Sequence, residues 1–473
     1  MTLVTNSTIL RRMPSIDVAA LLQARAGEEL ALNDRHLNPQ LGRILRTLGI
    51  DRSWRGAEGA HLIDAAGDRY LDMLAGYGVF SVGRNNPRVR AQIEAALRAD
   101  TANLPQLGVT LLPGVLAEQL LARAPANLGH AVLTCTGTET VEAAIKLARG
   151  ATGRPRILYC DHAFHGLTNG SLALNGNDEF RAGFGPFLPG TTAVAFGDAG
   201  ALERELRAGD VAAFVVEPVQ GKGVNLPPAG YLERAQALCR EHGALFVCDE
   251  VQTGLGRTGR FLALEHWGLE PDMVLVAKAL SGGYVPVGAV LATPAVFGSV
   301  FDEMERAVVH GSTFGGNDLA AAAGLAALSE IDDAGLVERA RRGGELLLER
   351  TRPLVDRYEL VTEVRGLGLM WAIELGPPSG RAGRALWRTV ESRQPGLFAQ
   401  LITVPLFHDH HILIQVAGHA MNVVKAIPPL VISDEEIERF AVALDDVVGR
   451  AERRLFSSTA RVTLSLGRRA LRA

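Results

Sequence analysis

Between about Tyr77 and Glu330 the chain alternates short apolar runs with longer helical stretches. Several runs, "HAVLTC", "RILYC", "VAAFVVEP", "ALFVCDE" and "DMVLVAK", lack any polar alternation. A strand with one wet face alternates apolar and polar residues; a strand without that alternation needs cover on both faces. The pattern predicts an α/β fold in which helices flank a mostly parallel sheet. Ligands of such sheets bind outside the carboxyl ends of the strands, so the residues just after each run matter most.

The flanks differ in character. Residues 1–50 read as a helical lead-in, and "GAHLIDAAGDRYLDML" as a strand, a turn at Ala66-Gly67-Asp68 and a second strand. After "LAAAAGLAALSEIDD" the chain is helical and charged from Glu338 to Arg357, and "LVTEVRGLGLMWAIEL" reads as a strand pair around Gly366-Leu367-Gly368. These shifts divide the chain into an N-terminal segment that joins a small domain (1–75), a large domain (76–330), a C-terminal small domain (331–450) and a basic tail (451–473). The arginines at 450, 453, 454, 461, 468, 469 and 472 read as a solvated helix with a frayed end. A length of 473 residues with 47% hydrophobic and 21% charged composition suits two domains. The net charge of −4 implies no basic face for nucleic acid. Four cysteines without a CxxC pair read as buried thiols in a reducing compartment. With no signal-peptide h-region and no long apolar span, a cytoplasmic protein is expected, with no membrane segment.

Three strand ends offer matching chemistry. In "AVLTCTGTETVEAAIKLAR" the turn Thr136-Gly137-Thr138 opens a helix with Val141, Ala144, Ile145 and Ala148 on one face. Glycine admits a ligand to the backbone, and free N–H groups at a helix start favour an anion such as phosphate. The same turn also reads as ordinary capping. "ALFVCDEVQTGLGRTG" delivers Asp249 and Glu250 to a strand end, where an acid either caps a neighbouring helix or pairs with a protonated ring nitrogen. "DMVLVAKALSGG" sets Lys278 behind the run Met273 to Ala277. Its ammonium faces a desolvation penalty there. Either it reaches water along its stem, or its amine is a nucleophile, as in a Schiff base. A phosphate cradle, a carboxylate and a lysine together match the phosphate, ring nitrogen and aldehyde of pyridoxal 5′-phosphate (PLP). "DHAFHGLTNGS" places Phe164 where its ring either stacks on the pyridine or joins the core. "HGSTFGGNDLAAAAGLAAL" puts Ser312 and Thr313 before a helix, with hydroxyls suited to a phosphate.

With these residues in view, the chain resembles the class III (ornithine/4-aminobutyrate/putrescine-type) PLP-dependent aminotransferases of fold type I over roughly residues 48–447. The string "FVCDEVQTGLGRTGRFLALEHWGLEPDMVLVAKALSGGYVPVGAVLA" carries most of the likeness. The resemblance implies an aspartate aminotransferase-like large domain and a smaller α+β domain from the two chain ends. It implies that Lys278 holds the cofactor as an imine and then shuttles a proton, and that Asp249 pairs with the pyridine nitrogen. Gln252 would sit near the ring hydroxyl, Phe164 on the ring face, and Gly137 and Thr138 at the phosphate. Glu217, in "VVEPVQGKG", would lie behind the site. The resemblance also implies a homodimer with shared active sites, Thr313 reaching the phosphate of the other subunit.

The departures bear on substrate. Family members that use glutamate and 2-oxoglutarate carry an arginine in "HGR", a glutamate in "QGEGG" and an arginine before "PPL"; here Leu167, Lys222 and Lys425 stand nearest those places. A bidentate arginine–carboxylate clamp is not reproduced by leucine, and only loosely by lysine. Either the acceptor is an uncharged or largely apolar aldehyde or ketone, or a monocarboxylate such as pyruvate, or another arginine such as Arg365 compensates. "GYGVFSVGRNNP" and "AFHGLTNGSLALNGN" are similar to members attached to natural-product pathways, which aminate an aldehyde made from a carrier-bound thioester. That implies carrier-protein-linked partners. His408, His410 and His411 read as loop and strand-edge histidines, not a metal site, because no cysteine or acid ligand set accompanies them. The expected activity is amino transfer from a small-molecule amine donor to a carbonyl acceptor, with ping-pong kinetics. A racemase, aminomutase or decarboxylase on the same fold is the alternative. A non-catalytic binding member would lack Lys278 or Asp249, and no GxGxxG follows a strand to suggest a dehydrogenase.

Overall fold

The computed structural model describes residues 16–105, 107–418 and 420–453. The lead-in is helical over Val18–Ala24, Glu29–His36 and Pro39–Leu48, its first fifteen residues lying outside the described part. An antiparallel meander follows: β1 (Trp54–Glu58), β2 (His61–Asp64) and β3 (Arg69–Asp72). The β2–β3 turn is built on Asp64, whose Oδ1 accepts the N–H groups of Ala66 and Asp68 at 2.9 and 3.0 Å.

The large sheet contains β4 (His130–Thr134), β5 (Arg156–Cys160), β6 (Thr191–Val194), β7 (Val211–Val216), β8 (Leu245–Asp249), β9 (Met273–Val276) and β10 (Gly288–Ala292), in the order β4-β10-β9-β8-β7-β5-β6. The five apolar runs are all strands. β6 and β10 are two more that those runs do not include. β10 is antiparallel to both neighbours, and the remaining pairs are parallel. β7 is buried at every position, as a strand covered on both faces must be. Helix Gly137–Thr152 sends Val141, Ala144, Ile145 and Ala148 into the core, and the Thr136 hydroxyl caps it by accepting the Glu139 N–H at 3.3 Å.

Helices Asp318–Asp333 and Leu336–Thr351 lead to β11 (Val361–Leu367) and β12 (Met370–Leu375), an antiparallel pair turning at Gly368. After helix Leu397–His410 come β13 (Ile412–Leu413), β14 (Gln415–Val416) and β15 (Val423–Ala426). The second sheet runs β11-β12-β15-β14, whereas β13 joins β3 in parallel, Ile412 opposite Leu71 and Leu413 opposite Asp72. The N-terminal sheet is thus completed by the C-terminal part of the chain. Tyr70 packs there between Trp54 and Phe407, with ring centroids 5.2 and 4.8 Å away.

The histidine segment corrects the expectation of a loop. His408 and His410 lie on a helix, and His411 ends it with φ of 53°. His408 meets the Leu48 carbonyl at 3.2 Å, His410 pairs with Asp446 at 3.0 Å and His411 stacks on Tyr70. Among the described residues no cluster of metal-ligating side chains occurs, and no helix is long and apolar enough to cross a membrane. Of the tail, Arg450 and Arg453 end helix Asp434–Arg453; the arginines at 454, 461, 468, 469 and 472 lie outside the described residues. The cysteines are free; Cys160, Cys239 and Cys248 are buried and Cys135 is half-buried.

Candidate active site

The carboxyl ends of β4, β5, β7, β8 and β9 lead into Gly137, Phe164 with His165, Glu217, Asp249 and Lys278. Beside them lies a cavity of about 340 Å³ whose lining includes Tyr77, Phe164, Phe180, Lys222, Lys278 and Lys425. A larger groove of about 710 Å³ lies between helices Pro87–Arg98 and Asp318–Asp333; alanines and leucines dominate it, and it holds none of the nominated residues.

Lys278 starts a tight turn, Lys278–Ser281, that interrupts the chain after β9. Its φ is +44°, left-handed backbone that a non-glycine residue adopts at a cost, and Ser281 Oγ fixes the turn by donating to the Lys278 carbonyl at 2.8 Å. The amine opens on the cavity. Burial pulls its pKa below the ordinary lysine value, against the opposing pull of Asp249 and Glu217.

Asp249 ends β8 with both oxygens engaged: Oδ1 accepts the Val251 N–H at 3.0 Å and Oδ2 lies 2.7 Å from His165 Nδ1. Burial opposes the charge on His165, but the Asp249 hydrogen bond and charge outweigh it and raise its pKa. His165 therefore donates to a carboxylate that it holds in place. Glu217 accepts the N–H groups of Gly221 and Phe164 at 2.9 and 3.1 Å, and burial raises its pKa. Glu250 points away from the cavity, accepting from the Thr253 hydroxyl and, at 2.7 Å, from the Leu264 N–H; burial pushes it up to about 7. Of the two acids at this strand end, Glu250 is a local cap and Asp249 is paired with His165.

The helix start at Gly137 packs against Val251 and Ala277, close in sequence to Asp249 and Lys278. A Cβ on Gly137 would come 2.7 Å from Val251 Cγ1 and 3.6 Å from Ala277 Cβ, so only glycine leaves this corner open beside Asp249 and Lys278. Thr138 Oγ1 lies 2.7 Å from the Thr168 hydroxyl and 2.6 Å from that of Ser171. Three hydroxyls thus cluster beside the start of the helix.

At the substrate end, Lys425 Nζ donates to the Gly221 carbonyl at 2.7 Å and to Gln252 Oε1 at 3.3 Å, and Gln252 Nε2 donates to the Tyr77 carbonyl at 3.0 Å. Burial, then the nearby Lys278 charge, lowers the Lys425 pKa to about 7. The Lys222 ammonium pairs with Glu179. Arg365 is turned away: it donates to the Gly223 carbonyl at 2.7 Å and pairs with Glu363 and Glu374 at 2.7 and 2.6 Å. Leu167 is 55% exposed and Thr313 is exposed, and neither lines the cavity of this chain.

Sequence reasoning missed His165, Phe180 and Glu179. His165 had a signal, being next to Phe164 in "DHAFHG"; the other two sit on a short helix, Asp178–Arg181, that no motif marks.

The fold is that of fold type I PLP enzymes. The ornithine aminotransferase of Toxoplasma gondii superposes with a TM-score of 0.78 at 30% identity, covering 93% of this chain and 100% of that one. A PLP-bound (internal aldimine) amine transaminase from an uncultivated Pseudomonas species superposes with a TM-score of 0.74 at 28% identity, covering 85% and 96%. The family described as "Aminotransferase class-III" matches residues 50–448, and the chain belongs to it. Among curated relatives, the putrescine aminotransferase of Pectobacterium atrosepticum is 42% identical over 373 residues, 76% of this chain and 78% of that protein. Aminotransferase PigE of Serratia sp. is 35% identical over 91% of this chain, which spans 54% of PigE's length. The family's cofactor is pyridoxal 5′-phosphate. The donor set fits it: a buried, clamped carboxylate, a desolvated lysine, and a helix start whose corner a Cβ would fill.

Proposed function

We propose that the chain moves an amino group from a small amine donor to an aldehyde or ketone in two alternating half-reactions, and that its acceptor carries no second carboxylate. One observation carries the substrate reading: no arginine lines the cavity among the described residues, and Arg365 is committed to loop carbonyls and two glutamates. Lysine does not reproduce the planar fork that takes a carboxylate with two bonds. An aliphatic or aromatic aldehyde, including one released from a carrier thioester, suits the phenylalanine-walled space better.

When bound, pyridoxal 5′-phosphate supplies an aldehyde that exchanges the amino group and a ring that takes up the electron pair left at the substrate carbon. Lys278 Nζ, whose pKa burial pulls below the ordinary lysine value, is the nucleophile toward that aldehyde. The same Nζ would serve as the base that takes the substrate Cα proton and as the acid that delivers it to the cofactor's aldehyde-derived carbon. Asp249, clamped by His165 and Val251, holds the proton of the ring nitrogen. Gly137 and Thr138 take the phosphate at the helix start. Phe164 would cover the ring and Gln252 would meet its hydroxyl, and Glu217 fixes the backbone at Phe164 and Gly221. Thr313 stands outside this chain's cavity near exposed Val308 and Phe314, which supports a homodimer in which it serves the phosphate of the other subunit.

The test is a single half-reaction. Holoenzyme given L-alanine, L-glutamate or putrescine, with no acceptor, should release one equivalent of the donor's carbonyl product per subunit and lose its visible cofactor band. A holoenzyme with the band that releases no carbonyl product from any amine overturns the reading.

A further inference from the structure

Glu179 lies outside the set of residues that would hold the cofactor. It sits on the short helix Asp178–Arg181, and its carboxylate pairs with Lys222 in the cavity wall. The lysine side chain is 13% exposed and the glutamate 22%, so water screens the pair only in part. Lys222 Nζ also lies 4.1 Å from the Phe180 ring centroid, and Phe180 meets Phe164 edge-on at 5.3 Å.

Both partners are anchored from outside the cavity. On the Lys222 side, Asn225 Nδ2 donates to Gln220 Oε1 at 2.9 Å and Arg365 donates to the Gly223 carbonyl at 2.7 Å. On the Glu179 side, Asn177 Nδ2 donates to the Ala163 carbonyl at 3.1 Å and Arg181 to the Tyr159 hydroxyl at 3.1 Å. The pair therefore joins two hydrogen-bonded segments, the short helix at Glu179 and the loop at Lys222. Of the lysines that line the cavity, Lys278 serves the cofactor and Lys425 already gives hydrogens to Gly221 and Gln252. Lys222 is the cation best placed to meet a substrate carboxylate, and Glu179 occupies it.

We propose that Glu179 is a specificity-determining residue of this site. By neutralising Lys222 it rejects a substrate with a distal carboxylate. Phe164, Phe180 and the Lys222 stem are left as the wall for an uncharged chain. A dicarboxylate would have to break the pair and then face the freed Glu179 as a like charge, a repulsive element against the wrong substrate. This rests on the aminotransferase reading above and adds the residue that sets its acceptor class.

The experiment compares kcat/KM for 2-oxoglutarate and for hexanal in wild-type, E179Q, E179D and E179Q/K222M holoenzymes, the cofactor band confirming that each is folded. The ratio of 2-oxoglutarate to hexanal should rise about tenfold or more in E179Q, the scale of one charge-assisted hydrogen bond, chiefly through the KM of the keto acid. E179D, which keeps the charge, should stay near wild type, and the double variant should lose the gain. An unchanged ratio in E179Q, or a gain that survives in E179Q/K222M, overturns the assignment of Glu179 while leaving the amino-transfer reading intact. A wild-type enzyme that takes 2-oxoglutarate as readily as hexanal overturns the acceptor reading, and the proposal with it.

Discussion

Lysine where a guanidinium is customary changes what pH does to a buried position. Burial, then Lys278, brings Lys425 from its ordinary 10.5 to about 7, whereas an arginine would stay charged throughout. In the unfolded chain Lys425 keeps its proton up to about 10.5; in the folded chain it gives it up above about 7. Between those values unfolding takes up a proton, so this residue's contribution to stability rises with pH; below about 7 its penalty is complete and constant. Thermal unfolding of Lys425→Met and wild type across that window should show the difference moving in favour of wild type as pH rises. A pH-independent difference would show that Lys425 stays protonated in the fold. Two further substitutions test the chemistry directly. Lys278→Ala should lose the visible cofactor band and lower turnover by roughly 10⁴ or more. Asp249→Asn should bind cofactor but lose about a hundredfold or more in kcat, the scale of one preorganised charge at a reacting centre. Lys278 and Asp249 were legible in the sequence because each directly follows an apolar run that fixes its place at a strand end. Glu179 was not, because it acquires meaning from a partner 43 residues away; His165 was marked by its neighbour Phe164, but its role comes from Asp249, 84 residues away.

The apolar runs foretold strands where burial on both faces removes every polar position, β7 being the extreme. β6 and β10 escaped for different reasons. The stretch "TTAV" is half polar, and only its last residue is buried. β10, "GAVLA", is fully buried, but composition does not reveal that it runs against its neighbours. Because β10 runs against both neighbours, β4 and β9 point the same way, and the Gly137 helix start comes beside Ala277, the residue before Lys278. Gly137→Ala tests how closely the elements meet: the added methyl must displace the Val251 side chain. Urea unfolding of the apo-protein should show a loss of about 1–3 kcal/mol, and cofactor titration a weaker affinity. Unchanged values in both would mean that the corner has room to spare. The histidine segment shows the converse failure. Residues 397–410 are helical despite Pro405, because Phe398, Ile402, Leu406 and Phe407 are buried and packing overrides local propensity.

Across the whole molecule, the large sheet and its helices occupy the middle of the chain, and the N-terminal sheet takes its fourth strand, β13, from the far end. Phe407→Ala tests the cluster under that junction, where the ring sits 2% exposed against Tyr70 and Trp54. Hydrogen exchange should show β1 to β3 losing protection by about 3–5 kcal/mol, while β7 and β8 keep theirs. An equal loss throughout would mean that the two sheets unfold as one unit. The β3–β13 pair also sets an order in time. A ribosome delivers β3 long before β13, so the edge of β3 waits, uncovered, while everything between is made. The middle sheet has all its strands in hand before that wait ends. Maturation then finishes at the junction, a contact of very long sequence separation and so a slow one to close, and until it closes the open edge of β3 is where a second copy or a chaperone would bind first.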